Sequence, residues 1–580
     1  MIKRAAAFLL AFALSACASD PYERAAIEPA PAWRLQGQAM IAAADPRAVD
    51  AGLEILKKGG SALDAAIAAE AVLGLVEPQS SGLGGGALML TYNLRTDAVR
   101  FFDGRETAPS GANAQLFIGA EGKPLSFMDA AHSGLSVGVP GLIPMLALAH
   151  QKEGKLPWAD LFEPAIKLAE DGFVVSPRLN LLLQMSKAGR LDDVEPGKSY
   201  FYDPKGEPRP AGYLLKNAAY ANTLRAIAKD GGRAMLDSPI AANIVKAVQD
   251  DARPGKLSLD DLRNYKPVER EALCAPYRKY EVCTSAPPGG GLGVLSALGI
   301  MDRQKKSGKG VNDADSWGLF IDSSRLGYAD RDYYVSDPDK IEIPAKGLLN
   351  AKYLDARARM VKIGAKLKAA APGDPAPFTG ETSLLGHWAG DQTDEVPGTT
   401  HLSVVDASGN VASLTATVEA AFGNQMMVDG FVLNNELTDF NTTPSPDGRP
   451  FANAPGPSKR PRSSMSPTII FTPNGEFYAA TGSPGGSSII AYTLKTIVGM
   501  IDWKLSPQDA AAAPNVVARG GVVRAEVSKL PPGVADALTT RGYKLIDSTG
   551  EASGLHIVRA GPKGLEGGAD PRREGVAKGF

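Results

Sequence analysis

Thr399 lies deep inside the chain, in the run Pro397-Gly398-Thr399-Thr400-His401. A threonine hydroxyl is a weak nucleophile unless a base lies beside it, and the nearest base for Thr399 is its own α-nitrogen. That nitrogen becomes an amine only if the chain breaks between Gly398 and Thr399. A free α-amino group has a pKa of about 7.7–8.0, so it can accept a proton near physiological pH. We therefore expect a precursor that cuts itself at this bond to create its own catalytic residue.

A second threonine is expected beside the first. Residues 400–406 and 411–417 alternate like two paired strands, and residues 407–410 between them are typical of a turn. Antiparallel pairing about residue 408 would bring Thr417 alongside Thr399, where its hydroxyl could hold the nucleophile in place. On composition alone, the simpler interpretation is that Thr417 is an ordinary β-branched strand residue.

A glycine-rich loop, residues 481–488, could stabilise the charge that such a nucleophile creates. It follows a predicted strand and enters an apolar helix, and it contains Gly485 and Gly486. Backbone N–H groups at a strand-to-helix turn converge on one point and can bind a developing oxyanion. The alternative is a plain turn with no role in chemistry.

The composition is that of an ordinary globular protein. The 580 residues are enough for two to four average domains or for one large layered unit. There are 62 basic and 64 acidic residues, so the net charge of −2 favours neither nucleic acid nor an anionic membrane surface as a partner. We expect a small-molecule substrate.

The N-terminus predicts export. Lys3 and Arg4 precede an apolar run, residues 5–14, that is too short to span a bilayer. The run ends in Leu14-Ser15-Ala16-Cys17, which resembles the recognition box of bacterial lipoproteins. We therefore expect a signal peptide over residues 1–16, a lipid anchor on Cys17, a tether over 17–37 and a periplasmic protein held on the outer membrane. The alternative is an ordinary signal peptide with Cys17 incidental.

The remaining cysteines and the histidines argue against metal chemistry. Cys274 and Cys283 are the only other cysteines, and an oxidising compartment would allow a disulfide between them. The five histidines are scattered, with none at the spacing of metal ligands. We expect no metal site and no cofactor.

The predicted secondary structure changes along the chain, from mainly helical before Thr399 to mainly strands after it. The first part predicts a strand at 40–44, a helix at 46–58, and a buried Ala-rich helix capped by Ser61 and Asp64. Residues 140–270 and 310–370 are predicted to be mainly helical, and strands dominate from Thr399 onward. Residues 370–398 are rich in Gly, Pro and acidic residues, so we expect a flexible segment that exposes the bond to be cut.

Several motifs, in matching order, resemble the γ-glutamyltranspeptidase (glutathione hydrolase) family from about residue 38 to about residue 560. They lie at residues 52–60, 104–109, 328–331, 399–406, 462–467 and 482–486. The resemblance implies that Thr399 is the nucleophile, released by cleavage after Gly398, and that Thr417 hydrogen-bonds to it. It also implies that the amides of Gly485 and Gly486 form the oxyanion hole.

The resemblance further implies a site for a glutamyl head group. Arg105, Ser463 and Ser464 match the residues that hold the α-carboxylate of the donor, as a guanidinium with two hydroxyls can. Glu436 and Asp439 match the pair that holds its α-ammonium. Two departures bear on this site. Glu419 stands where many bacterial members have an asparagine, and the lid-like loop, residues 441–459, is shortened, with Phe451 as its one aromatic residue.

The fold implied is an N-terminal-nucleophile hydrolase of the α+β class, a four-layer αββα sandwich. It would be built from a large piece, residues 38–398 with the tether, and a small catalytic piece, residues 399–580. The implied reaction passes the γ-glutamyl group of glutathione or a related compound to water or to an amino acid or peptide.

Two other functions fit parts of the sequence. One is a related acylase that acts on glutaryl-type side-chain amides, against which the presence of Arg105 and Asp439 argues. The other is a non-catalytic lipoprotein that binds γ-glutamyl compounds, against which Thr399, Thr417 and the paired glycines argue.

Overall fold

The computed structural model describes residues 35–580 except 36, 188, 305–309, 392, 442, 444–446 and 549–552. The predicted signal peptide, Cys17 and nearly all of the tether lie outside the described residues. The strands are β1 Met40–Ala43, β2 Gly86–Asn93, β3 Ala98–Gly104, β4 Phe173–Val174, β5 Leu214–Leu215, β6 Val268–Arg270, β7 Leu273–Tyr277, β8 Tyr280–Thr284, β9 Thr399–Val405, β10 Val411–Thr417, β11 Met427–Val428, β12 Phe431–Val432, β13 Thr468–Phe471, β14 Phe477–Thr481, β15 Val516–Arg519, β16 Val522–Ala525, β17 Leu545–Asp547, β18 His556–Gly561, β19 Gly564–Ala569 and β20 Val576–Gly579.

The helices are α1 Pro46–Lys57, α2 Ala62–Val76, α3 Phe127–Ala131, α4 Leu142–Glu153, α5 Glu163–Asp171, α6 Pro177–Met185, α7 Gly197–Phe201, α8 Ala218–Asp230, α9 Arg233–Leu236, α10 Pro239–Gln249, α11 Leu259–Asn264, α12 Gly291–Asp302, α13 Ala314–Tyr334, α14 Ala345–Leu348, α15 Ala351–Ala358, α16 Ala376–Thr379, α17 Ile489–Ile501, α18 Pro507–Ala512 and α19 Val534–Thr540. Within the part of the chain that the structure describes, no helix has the length and apolar character needed to cross a bilayer.

Two large sheets form the centre of the molecule. The first has seven strands in the order β20-β1-β9-β10-β2-β3-β6, and the second has six in the order β19-β18-β14-β13-β8-β7. Strand β9, which begins at Thr399, is therefore a central strand, paired with β1 on one side and β10 on the other. A central strand is held on both edges, so the residue at its start has a well-defined position.

Alternation along the strands divides their side chains between the two faces of the sheet. Leu402 and Val404 of β9 join a core with helices α1, α2 and α4 on the outer face of the first sheet. Leu88 and Leu90 of β2 instead face the second sheet and share a core with Ile469. A third core lies between the second sheet and helices that include α12, α13 and α17. The layer order is therefore helix, sheet, sheet, helix, as predicted.

The hairpin of β9 and β10 has the predicted register. Thr399 pairs with Thr417, His401 with Thr415, and residues 407–410 form the turn. Helices α1 and α2 also lie where the sequence predicts them, and α2 begins with the predicted capping box between Ser61 and Asp64. Cys274 on β7 and Cys283 on β8 face each other across their hairpin and form a disulfide bond.

The expectation of an exposed scissile bond is wrong. Gly398 and Thr399 are both buried, and so are Asp391 and Glu395 upstream of them. The low apolar content of residues 370–398 suggested flexibility, but the side chains of Asp391 and Glu395 bind the buried Arg462 and Arg331. An intramolecular cut needs no access for a protease, so burial of the bond is compatible with the predicted chemistry.

Candidate active site

A chain of hydroxyl groups joins Thr399 to the bond that precedes it. Thr399 Oγ1 donates to Thr417 Oγ1 at 3.2 Å, and Thr417 Oγ1 donates to the carbonyl oxygen of Gly398 at 3.1 Å. Thr417 Oγ1 also accepts from the amide of Glu419 at 2.8 Å. These three bonds use the donor and both acceptor positions of the Thr417 hydroxyl. The arrangement offers a route for a proton from the hydroxyl of Thr399 to the carbonyl of Gly398.

His401 is the nearest histidine in the sequence, but both of its ring nitrogens contact hydroxyl groups other than that of Thr399. Its two ring nitrogens contact Thr415 Oγ1 at 2.9 Å and Ser403 Oγ at 3.1 Å. Burial lowers its pKa well below the ordinary value, with His556 adding to the shift, so the ring stays neutral between the two sheets. We interpret His401 as part of a hydrogen-bonded polar cluster between the sheets, in which Ser403 also donates to the carbonyl oxygen of His556.

The glycine-rich loop meets the chain just upstream of the scissile bond. The amide of Ser487 donates to the carbonyl oxygen of Glu395 at 3.1 Å, and Ser487 Oγ accepts from the amide of Glu395 at 2.8 Å. Gly486 has a φ of +53°, and a Cβ placed on it would lie 2.2 Å from the carbonyl oxygen of Glu395. Glycine is therefore required there on two counts, backbone conformation and close approach.

Carboxylates surround Arg105 in a buried cluster. Its guanidinium bonds to Glu436 and, at 2.5 Å, to Asp439, and it also donates to the carbonyl oxygens of Pro461 and Arg462. Glu106 lies 3.8 Å from the same guanidinium. The predicted holders of the two ends of a glutamyl group are therefore in direct contact in the uncut chain.

This cluster contains more acid than Arg105 can neutralise. Burial raises the pKa of Glu436 and Asp439 well above the ordinary value, although Arg105 opposes the shift. Burial also raises the pKa of Glu106 to about 8, and burial followed by the charge of Asp439 raises the pKa of Glu419. Burial thus disfavours the charged form of these carboxyl groups, and a cation bound beside them would favour it. The cluster is suited to binding an ammonium group.

The two serines of the predicted carboxylate clamp lie beside different partners. Ser463 Oγ accepts from the amide of Met465 at 3.2 Å. Ser464 Oγ accepts from the guanidinium of Arg331 at 2.8 Å, and the same nitrogen donates to Glu395 Oε1 at 2.5 Å. The guanidinium that contacts Ser464 in the uncut chain is thus that of Arg331.

Most of these residues line one small cavity. Its lining includes Thr399, Thr417, Gly486, Arg105, Glu419, Glu436, Asp439 and Ser463, together with Glu395 and Val396. The cavity volume is about 10 Å³, which is room for about one water molecule. Gly398 and Gly485 are the chain neighbours of lining residues, and Ser464 follows Ser463. In the uncut chain the site is therefore assembled but filled by the segment before the scissile bond.

Glu395 is the main feature that the sequence analysis missed. Burial by itself would raise its pKa, but Arg331 and Arg462 outweigh burial and lower that pKa to about 2. Asp391 is likewise bound to Arg462, at 3.1 Å. Acidic residues in a Gly- and Pro-rich stretch look solvent-exposed in a sequence, and only the tertiary structure reveals their buried partners.

A four-layer sandwich with a threonine at the start of a central strand, next to a glycine-rich loop, defines the class of N-terminal-nucleophile hydrolases. Comparison with known proteins agrees. The family model described as gamma-glutamyltranspeptidase matches residues 48–580. The glutathione hydrolase proenzyme of Bacillus subtilis strain 168 is 34% identical over 549 residues, covering 93% of this chain and 91% of the relative.

Acylases are also similar to this chain. The Acylase ACY 1 proenzyme of Pseudomonas sp. strain SE83 is 32% identical over 554 residues, covering 93% of this chain and 92% of the relative. The crystal structure of cephalosporin acylase from Bacillus halodurans superposes with a TM-score of 0.82 at 27% identity, covering 98% of this chain and 99% of that one. The chain belongs to the γ-glutamyltranspeptidase family.

Proposed function

We propose that this chain is a precursor that cuts itself between Gly398 and Thr399. Thr399 Oγ attacks the carbonyl carbon of Gly398, and its proton passes to Thr417, whose own proton moves to the Gly398 oxygen. The C–N bond then breaks as the Gly398 oxygen gives up that proton and re-forms a carbonyl, the leaving nitrogen takes up the proton, and an ester joins Gly398 to Thr399 Oγ. Water hydrolyses this ester and leaves a Gly398 carboxylate and a Thr399 with a free amine and a free hydroxyl.

The mature protein then acts on the γ-amide of glutathione or of a related γ-glutamyl compound. The amine of Thr399 takes the hydroxyl proton while Oγ attacks the γ-carbonyl, and the Gly485 and Gly486 amides stabilise the oxyanion. The amine returns the proton to the leaving nitrogen, which departs as cysteinylglycine when the donor is glutathione. Water, or the amine of an amino acid or peptide, then releases the γ-glutamyl group from Thr399.

The observation that carries this proposal is the hydroxyl chain from Thr399 through Thr417 to Gly398, because it joins a nucleophile to the bond it would cut. The clustered acids support the choice of substrate, since Glu419, Glu436 and Asp439 line the same cavity as Thr399. A glutamyl donor carries an ammonium group that these carboxylates can bind. Arg105, Ser463 and Ser464, with Arg331 beside them, supply positive charge and hydroxyls for its carboxylate.

The test is the substitution of Thr399 itself. Thr399→Ala should remain one uncut chain on a denaturing gel and should lose turnover of γ-glutamyl-p-nitroanilide by at least about 10³-fold. Thr399→Ser keeps a hydroxyl and should still be cut. Thr539→Ala, on the exposed surface of α19, controls for loss of a threonine elsewhere. If the Thr399→Ala chain still separates into two pieces at Gly398, the proposed mechanism is wrong.

A glutaryl-type acylase is the second candidate, favoured by the match to cephalosporin acylase. A glutaryl group lacks the α-ammonium, so the carboxylates around Arg105 would have no second cation to bind. We therefore expect turnover of γ-glutamyl-p-nitroanilide to exceed that of glutaryl-p-nitroanilide by about 10²-fold or more, as expected for an unpaired charged group in a binding site. Faster turnover of the glutaryl compound would assign the chain to the acylases.

We propose further that Cys17 carries a lipid and holds the protein on the periplasmic side of a bacterial outer membrane. The support is the sequence pattern of the first 17 residues. The intact mass of the large piece, purified in detergent from an exporting host, should equal that of residues 17–398 plus a lipid. A mass without lipid, or loss of the signal peptide at another residue, would contradict this.

A further inference from the structure

Arg519, at the end of β15, binds the segment that precedes the scissile bond. Its Nη2 donates to the carbonyl oxygen of Thr393 at 3.0 Å, and its Nη1 donates to Asp394 Oδ1 at 2.6 Å. Its Nε is anchored on Asp332 of helix α13 at 2.7 Å. The side chain is only 11% exposed. Arg519 therefore fastens residues 393 and 394 to the body of the protein.

The same guanidinium also contacts the glycine-rich loop. Its Nη1 donates to Ser487 Oγ at 3.2 Å, and Ser487 in turn bonds to both the amide and the carbonyl of Glu395. From Glu395 the segment continues through Val396, whose amide donates to Glu419 Oε1 at 3.0 Å, to the carbonyl of Gly398 held by Thr417. One side chain thus ties the loop and the segment to each other four residues before the scissile carbonyl.

We propose that Arg519 is a positioning residue for self-cleavage, an inference that rests on the proposed function. It contributes no atom to the reaction. By fixing the segment against Ser487, it holds the carbonyl carbon of Gly398 within reach of Thr399 Oγ. A misplacement of about 1 Å in such a reaction costs about 10²-fold in rate.

This role is separable from turnover by the mature protein. Arg519 is not among the residues that line the cavity with Thr399. After the cut the segment ends at Gly398 and no longer carries a peptide bond for Thr399 to attack. We therefore expect loss of Arg519 to slow the cut while leaving kcat and KM of the completed, cut protein close to those of wild type, because Arg519 lines no part of the cavity that contains Thr399.

The number and burial of these contacts predict how strongly each substitution should slow self-cleavage. Asp394 is 68% exposed, so its ion pair with Arg519 contributes little, and Asp394→Ala should slow the cut by no more than about threefold. Arg519→Ala removes the bonds to Thr393, Ser487 and Asp332 as well, and should slow it by about 10- to 100-fold. Arg519→Lys replaces the planar guanidinium with a single ammonium group, so its rate of self-cleavage should fall between those of wild type and Arg519→Ala.

The experiment follows cutting of the full chain, made by cell-free translation with a short labelling pulse, on denaturing gels over time. Arg541→Ala is the matched control, because it removes a comparable arginine–aspartate pair, with Asp315, that does not contact the segment. The thermal midpoint of each variant is measured in the uncut Thr399→Ala background. For each cut variant, kcat and KM are measured with γ-glutamyl-p-nitroanilide.

The proposal predicts slow cutting in Arg519→Ala, partial recovery in Arg519→Lys, and a normal kcat once cutting is complete. It is overturned if Arg519→Ala is cut as fast as Arg541→Ala. It is equally overturned if cutting, kcat and the thermal midpoint all fall together and Arg519→Lys recovers none of them. Cutting of the Thr399→Ala chain itself would instead refute the proposed function, so the two failures are distinct.

Discussion

Thr399 becomes a candidate nucleophile through its immediate contacts. The hydroxyl of Thr417 accepts from Thr399 and donates to the carbonyl oxygen of Gly398, so two hydrogen bonds link the hydroxyl of Thr399 to that carbonyl. The carbonyl oxygen of Thr399 accepts from Arg573 at 2.8 Å, which holds the backbone on the other side. These contacts hold Thr399 on both sides in the uncut chain, and the proposed cut would change its nitrogen from amide to amine.

The hydroxyl of Thr417 should therefore control the rate of self-cleavage. Thr417→Ala removes the proton path, and we expect cutting to slow by about 10²-fold, the usual contribution of a positioned proton donor. Thr417→Ser keeps the hydroxyl and should be cut at nearly the wild-type rate. A time course of cell-free product on denaturing gels measures both. Equal rates for the alanine and serine variants would show that this hydroxyl carries no proton.

Local elements were predictable because their signals are local. The capping box at Ser61 and Asp64 and the alternation around residue 408 each depend on residues close in sequence, and both structures formed as predicted. Arg519 and its partner Asp394 are separated by 125 positions in the sequence, and Arg331 and its partner Ser464 by 133. Such pairs leave no periodic pattern, so their burial and their partners could be learned only from the structure.

Helix α2 contains a carboxyl group whose burial should make stability depend on pH. Burial, with a smaller contribution from Glu77 and opposed by Ser81, raises the pKa of Glu70 from 4.5 to about 8. Between these two values the folded protein keeps a proton that the unfolded chain releases, so the free energy of unfolding falls as pH rises. Above about pH 8 both states are ionised and this loss is complete.

Glu70→Gln should remove this dependence, since it keeps the shape of the neutral acid and cannot titrate. In the uncut Thr399→Ala background, its thermal midpoint should fall less than that of the parent between about pH 5 and about pH 8. Glu54→Gln, on the exposed side of α1, is the control and should follow the parent. Parallel profiles for all three proteins would show that Glu70 ionises normally in the fold.

At the scale of the whole molecule, the proposed cut would not separate the two pieces. In the first sheet, β1 of the first piece lies between β20 and β9 of the second, and β10 of the second pairs with β2 of the first. In the second sheet, β13 of the second piece pairs with β8 of the first. Separating the pieces would break backbone hydrogen bonds in both sheets and expose all three large cores.

The cut protein should therefore elute in size exclusion as a single species with the mass of both pieces. The same fraction should show two bands on a denaturing gel, because only unfolding releases the shared strands. Either piece expressed alone should be insoluble or unfolded, since it lacks strands from the centre of both sheets. Elution of two separate folded pieces under native conditions would contradict the shared-core interpretation.

The most direct test of the central claim is the intact mass of the purified wild-type protein, combined with N-terminal sequencing of the smaller piece. Self-cleavage at the buried Gly398–Thr399 bond predicts a piece of residues 399–580 that begins with an unmodified threonine, and a partner that ends at Gly398. A single uncut chain in active protein, or a smaller piece that begins at any residue other than Thr399, would contradict the account.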